Sequence, residues 1–278
     1  MAVCLADSLV ACSRFDCGDV ARRYVAWVEH TFDIGAQTSA ALRAIRDGQP
    51  PRVAGEHVWL ARGRQAAGNG SLMRTAPIGV VISDDVERRQ ASFDDSAITH
   101  FDPRCQLACA TFNAAIAVGV RGRSSDDMMR AAVDELAAAV DALNAQLASE
   151  RAAVDEAGLM LRRDLAAAST PDPALYSDDV HLQNQQGYVR VAFRLAFWHL
   201  THTPTIETAL IDTANRGGDA DTNCAIVGAL LGARDGEQAI PGIWRRRVLE
   251  ALQTDVTPLS TTYHPRHFME DVAKWFSQ

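Results

Sequence analysis

Apolar residues in this chain recur at the helical period nearly everywhere, and that regularity confines the fold to a packing of helices. Val189, Ala192, Phe193, Ala196, Phe197 and Leu200 follow i, i+3, i+4, i+7, i+8, i+11 and draw a single stripe along one rod. Comparable patterns predict helices over residues 2–11, 16–28, 36–47, 71–81, 103–120, 125–147, 152–168, 206–215, 222–233, 241–253 and 267–276. Pro103 and Pro241 stand at helix starts, where proline is tolerated. Alternating β-branched runs bounded by hairpin turns are absent, so the expected class is all-α, a compact orthogonal multi-helix bundle. The polar stretch 169–186, with Pro171 and Pro173, reads as a long surface loop of the kind that often covers a site. With no internal repeat and no linker, residues 1–278 are expected to form a single domain, and 47% hydrophobic content gives it a large core.

Charge and cysteine content narrow the setting. With 35 Asp and Glu against 27 Lys and Arg, spread along the chain, a nucleic-acid backbone is not an expected direct partner. Cys4, Cys12, Cys17, Cys105, Cys109 and Cys224 show no C-x-x-C spacing and are read as small reduced core residues. No apolar run reaches the length of a membrane span and no basic-then-apolar leader is visible, so a cytoplasmic setting is expected; a monomer is expected as well.

The chemistry-bearing segment is Gly217-Gly218-Asp219-Ala220-Asp221-Thr222, running into a small apolar helix. Two carboxylates one residue apart, with a hydroxyl beside them, place three hard oxygen donors on a first helical turn, a set that suits Mg²⁺, Mn²⁺ or Ca²⁺ rather than zinc or copper. The simpler reading is that Asp219 or Asp221 caps the helix. A second cluster, Gly68-Asn69-Gly70-Ser71-Leu72-Met73-Arg74, presents consecutive backbone N–H groups with an amide and a hydroxyl, the local chemistry of a phosphate cradle, although Asn-Gly is also an ordinary turn. Arg74 there would meet a phosphate or a structural carboxylate. A third cluster is Ile98-Thr99-His100-Phe101-Asp102-Pro103-Arg104-Cys105, where a lone histidine before a helix is usually structural.

Taken in order, these segments resemble the ADP-ribosylglycohydrolase family. The resemblance rests on Phe32-Asp33-Ile34-Gly35, Gly68 to Gly79, Thr99-His100 with Pro103-Arg104-Cys105, Gly187-Tyr188-Val189 and Gly217 to Thr222, at comparable spacing over nearly the whole chain. It implies an all-α hydrolase that removes ADP-ribose from modified protein side chains with two Mg²⁺ or Mn²⁺ ions. By that similarity Asp219, Asp221 and Thr222 are metal ligands, with Asp219 and Asp221 also catalytic. Asn69, Gly70, Ser71, His100 and Tyr188 would line the ADP-ribose pocket, so the partner is ADP-ribose or an ADP-ribosylated protein.

The resemblance also implies an upstream opening helix and a Thr-Asp-Asp-Thr motif, which supply the other metal ligands and would end about where Met1 stands. Residues 2–11 enter a helical pattern with no Ser, Thr, Asp or Asn before them, which points the same way. Only part of a binuclear site is therefore expected, and three readings stand: a hydrolase whose working form is longer, an ADP-ribose-binding relative with impaired catalysis, or a helical scaffold with a purely structural role. The acceptor stays open between arginine, serine and a nucleic-acid base.

Several other residues are given plain readings. His199 with His202, and His264 with His267, have zinc-compatible spacing but no further ligands, and are read as structural. Arg245-Arg246-Arg247 and Asp178-Asp179 are read as solvated charges, and Phe101, Tyr188 and Trp198 as candidates to stack on adenine.

Overall fold

The order and ends of the helices follow from local sequence. A computed structural model describes residues 1–31, 33–250 and 263–264. It consists of α1 (Ala2–Cys12), α2 (Cys17–Val28), α3 (Ala36–Arg46), α4 (Pro51–Ala61), α5 (Ala76–Val81), α6 (Asp85–Thr99), α7 (Pro103–Gly119), α8 (Ser125–Gln146), α9 (Arg151–Ala168), α10 (Val189–His202), α11 (Ile206–Arg216), α12 (Ala220–Asp235) and α13 (Gly242–Glu250). No strand occurs among the described residues, as the all-α reading expects. Side-chain caps mark the starts: Asp16 accepts from the Asp19 amide, Asp84 from Glu87, Asp102 from Arg104, and Ser124 forms a capping box with Asp127. The helix read over 267–276 and the end of that over 241–253 lie outside the described residues.

Helix α7 is the centre. Every residue in it except Arg104 and Val118 is buried, as expected of a helix apolar on all sides, and it packs against α5, α6, α8, α9, α10 and α12. Its many Ala, Cys and Gly residues let those neighbours approach closely. One hydrophobic cluster gathers α7–α10 and α12, while a second gathers α1, α2, Leu42, Ile78 and the apolar side of α6. Helix α6 and the segment 66–75 run between the two clusters.

Three sequence readings need correction. Two helices, α4 and α6, are missing from them. The helix read over 71–81 begins only at Ala76; residues 69–74 are turns. Pro77, in the first turn of α5, has no N–H and restricts the residue before it, so the chain cannot be helical through that point without loss. The stretch 169–186 is irregular as expected but not merely superficial: Leu175, Val180 and Leu182 are buried in the main cluster. Buried Asp164 on α9 binds Arg190 and Arg194 on α10, and these hold the loop through Asp179 Oδ2 (3.0 Å from Arg190 Nη2) and the Ala174 carbonyl (2.7 Å from Arg194 Nη1). Asp179 is therefore ion-paired rather than simply solvated.

Candidate functional site

The turn 67–70 is joined to the start of α10 by a short antiparallel pairing. Asn69 N–H donates to the Gly187 carbonyl at 2.8 Å and Val189 N–H to the Ala67 carbonyl at 3.0 Å, with Gly68 opposite Tyr188. Gly187 sits at φ +76°, where a side chain would be strained. Gly70 is fixed by crowding instead: a Cβ there would lie 2.8 Å from His100 Cε1 and 2.9 Å from Nε2. The turn thus lies close against the imidazole.

Asp219 does not act as a helix cap. It occupies the N-cap position of α12 but makes no capping bond to the helix amides. Its Oδ2 accepts instead from Asn69 Nδ2 at 2.7 Å, joining motifs 150 residues apart. Only the amide nitrogen can face a carboxylate at that distance, which fixes the Asn69 side chain's orientation. Asp221 is exposed, and its Oδ1 accepts from the Thr222 N–H at 2.9 Å; Thr222 is half-buried. Gly217 and Gly218 have φ +74° and +69°, and a Cβ on Gly218 would come within 2.9 Å of the Leu182 carbonyl. The double glycine therefore lets loop 181–186 rest on the aspartate turn, where Gln183 Nε2 also donates to the Arg216 carbonyl at 2.9 Å.

His100 is the C-cap of α6 and is buried, its Nδ1 lying 2.8 Å from Thr99 Oγ1. Burial, aided by the nearby Arg74 charge, pushes its pKa down to about 3, so the ring is neutral at any ordinary pH. Tyr188, the residue before α10, presents its ring to the guanidinium groups of Arg104 and Arg190, at 5.7 and 5.9 Å, and its hydroxyl accepts from Arg104 Nη1 at 3.3 Å. The turn 68–70, His100, Tyr188 and Asp219 thus meet in one place, with Asp221 and Thr222 on the first turn of α12.

Ser71 is placed differently. Its hydroxyl is fully buried and accepts from Ser96 Oγ at 3.0 Å and from Cys109 Sγ at 3.6 Å, so it faces the core. Arg74 meets a structural carboxylate: Nε donates to Asp95 Oδ2 at 3.1 Å and Nη1 to Thr99 Oγ1 at 2.8 Å, while Tyr24 OH donates to Asp95 Oδ1 at 2.7 Å. Phe101 packs on Trp59 at 5.5 Å between ring centres, and Trp198 N–H donates to the carbonyls of Thr170 and Pro171; both rings are in use elsewhere. His199 is structural, its ring nitrogens bonded to Thr203 and Thr213. His267 lies outside the described residues. Gln37, missed in the sequence, braces the site by donating Nε2 to the carbonyls of Ala66 and Thr99, both at 3.1 Å.

Asp219, Asp221 and Thr222 supply hard oxygen donors at a helix start, and a Mg²⁺-like ion is commonly held by one or two carboxylates with water completing its shell. Their chemistry fits such an ion as part of a site. Among the described residues no three His, Cys, Asp or Glu side chains converge on one point, so these residues alone do not form a full chelate. A concavity of about 390 Å³ bounded by Ser125, Leu200, Pro204 and Arg234 shares none of these residues, and its guanidinium is bonded to Asp235 and two carbonyls.

Comparison with known proteins gives a consistent result. Residues 1–275 match the profile of the ADP-ribosylglycohydrolase family. The chain is similar to the ADP-ribosylarginine hydrolase Tri1 of Serratia proteamaculans, 25% identical over 261 residues that cover 90% of this chain and 62% of that protein. Tri1 of Pseudomonas putida is also 25% identical, with 60% of its length covered, so the chain spans about three fifths of these relatives. The ADP-ribosyl-[dinitrogen reductase] glycohydrolase of Rhodospirillum rubrum is 24% identical, covering 88% of this chain and 70% of that one. A solved structure titled as an ADP-ribosylglycohydrolase-related protein complex superposes with TM-score 0.66 at 25% identity, covering 91% of this chain and 74% of that one.

Proposed function

The chain belongs to the ADP-ribosylglycohydrolase family, and from that premise we propose that it removes ADP-ribose from modified protein side chains at the place where the 68–70 turn, His100, Tyr188 and Asp219 meet. The observation that carries this reading is the Asn69–Asp219 bond. An aspartate at an N-cap position that leaves its helix amides and turns to an asparagine of a distant turn is a poor cap but a well-oriented carboxylate. Arginine is the acceptor we favour, supported by the names of the Tri1 relatives.

In this mechanism the turn Asn69-Gly70 and the His100 edge hold the phosphate and ribose portion of the ligand. The turn's glycine allows the ligand close to the backbone, and Tyr188 closes one side. The start of α12 favours negative charge nearby. Ser71 acts from behind, keeping the turn in place through Ser96 and Cys109. Glycoside cleavage passes through an oxocarbenium-like state and needs a positioned carboxylate or an activated water. Asp219, oriented by Asn69, and the exposed Asp221 are the groups proposed to serve there, together with Thr222 as ligands of Mg²⁺ or Mn²⁺. When bound, the ion would orient ribose hydroxyls and lower the pKa of bound water.

A second reading is an ADP-ribose-binding protein with weak catalysis, in which Asn69, bonded to Asp219, and the neighbouring turn serve to hold the ligand. One experiment separates them: incubation with ADP-ribosylated arginine and serine proteins in Mg²⁺ or Mn²⁺, with release of ADP-ribose measured alongside calorimetric binding. Hydrolysis that falls by more than about 10²-fold in the Asp219→Asn, Asp221→Asn double variant supports the hydrolase. Binding without release supports the second reading, and neither binding nor release rejects both.

A further inference from the structure

We propose that Thr99, backed by Arg74, locks His100 as the neutral Nε2–H tautomer, so that the ring offers a standing hydrogen-bond donor to a ligand oxygen at the Gly68–Gly70 turn. The argument is one of donors and acceptors. Among the described residues Thr99 Oγ1 has two polar side-chain partners, Arg74 Nη1 at 2.8 Å and His100 Nδ1 at 2.8 Å. A guanidinium only donates, so Thr99 accepts from Arg74 and its own proton must go to an acceptor. His100 Nδ1 is that acceptor, and the ring proton therefore sits on Nε2. The opposite tautomer would aim two donors at Thr99 and leave the hydroxyl proton buried without a partner, and the imidazolium would do the same beside a buried cation.

Arg74 cannot turn away to relieve this. Its Nε binds Asp95 Oδ2, its Nη2 binds the Asp95 carbonyl, and its guanidinium lies 4.7 Å from the centre of the Tyr24 ring, whose hydroxyl closes the set on Asp95. Both Arg74 and Asp95 are essentially inaccessible to solvent. The opposite edge of the imidazole faces the turn: Nε2 is 3.2 Å and 2.9 Å from the positions that a Cβ would take on Gly68 and Gly70. No described side chain is bonded to Nε2, yet it is not among the sealed, unpartnered buried atoms of the protein. The glycines thus leave open the edge on which Thr99 places the proton. Thr99 and Arg74 are positioning residues, and His100 is the group that touches the ligand. A ring that could choose either tautomer would lose part of its donor population; this one is preset.

The identity of the ligand rests on the function proposed above, whereas the tautomer does not, and the test keeps them apart. Nitrogen NMR of ¹⁵N-histidine-labelled protein without ligand at neutral pH, with the His100 signals identified by their loss in His100→Gln, should show an unprotonated Nδ1 and a protonated Nε2. A protonated Nδ1 in the wild-type protein overturns the proposal outright. Thr99→Val keeps the shape but removes the relay, and should mix the tautomers and weaken ADP-ribose binding about tenfold; Thr99→Ser should retain both properties. A Thr99→Val protein with unchanged signals removes Thr99 from the account. If ADP-ribose binds by calorimetry without moving the Nε2 resonance, the donor role is wrong. If ADP-ribose does not bind while the tautomer is as stated, the proposed function fails and the lock stands.

Discussion

Gly70 shows how one missing methyl group can let a turn approach an imidazole. Its φ lies outside the left-handed region, so the need for glycine there is steric, set by the imidazole 2.8–2.9 Å from where a Cβ would be. Gly70→Ala should push His100 or the turn aside, costing about 1–3 kcal/mol of stability and at least as large a share of ADP-ribose affinity. Calorimetry with parallel melting curves checks this, and unaltered affinity in a folded variant would remove the turn from the pocket. The sequence made Asn69 and Asp219 visible because Asn-Gly turns and paired aspartates carry chemistry in their residue types, whereas His100 stood out only through the family resemblance. It did not reveal which way a side chain on a turn faces. Ser71 and Asn69 differ by two positions, yet one hydroxyl is sealed against Ser96 while the amide reaches Asp219. Gln37 escaped for the same reason, being an ordinary polar residue whose importance lies in the two carbonyls it touches.

Among the helices, α4 and α6 form the clearest case of structure hidden from an apolar pattern. The buried face of α6 includes Arg88, Ser92, Asp95, Ser96 and Thr99, so its period is written in polar residues that bond to Arg74, Asn113 and Ser71. A search for apolar stripes passes over it. The long helices α7, α8 and α10 were legible because their buried faces are aliphatic or aromatic. Helix α4 lies so close to α6 that a Cβ on Gly55 would be 1.9 Å from the Ala97 carbonyl. Alanine at a mid-helix glycine ordinarily gains about 1 kcal/mol of propensity. Here the clash with backbone should outweigh that gain, so Gly55→Ala is expected to destabilise by about 1–3 kcal/mol or more. Urea unfolding of the variant decides the sign. Because the displaced strip of α6 ends at Thr99 and His100, ligand affinity should fall as well.

For the molecule as a whole, two buried histidines set a limit on the acid side. Burial lowers His100 to about 3, with the Arg74 charge adding to it. Burial likewise lowers His199 to about 4, against an opposing effect of Asp212 and with Arg216 and Arg234 reinforcing. An unfolded histidine titrates near 6.5, so below that pH the unfolded chain binds two protons that the folded one does not. The stability from keeping both rings neutral is fully present above about pH 6.5 and is lost as pH falls toward 4, at about 2.7 kcal/mol per pH unit once both rings in the unfolded chain are charged. Chemical denaturation at a series of pH values measures that slope. His199→Gln should roughly halve it, and a flat profile would mean that these rings are solvated or already charged.

The pairing of residues 67–69 with 187–189 has one further consequence, for exchange with solvent. Asn69 and Val189 donate their amide protons across the two segments, to Gly187 and Ala67, so neither of these bonds lies within a helix. Their protection lasts only while the two stretches of chain remain docked, whereas the amides of α7 are shielded until the whole core opens. In deuterated buffer the two should exchange together, faster than the centre of α7 and independently of their separation in sequence. A small molecule bound across the two segments would slow both by one common factor, set by its concentration relative to its dissociation constant. These two protons therefore serve as a built-in gauge of occupancy, readable before any turnover can be detected.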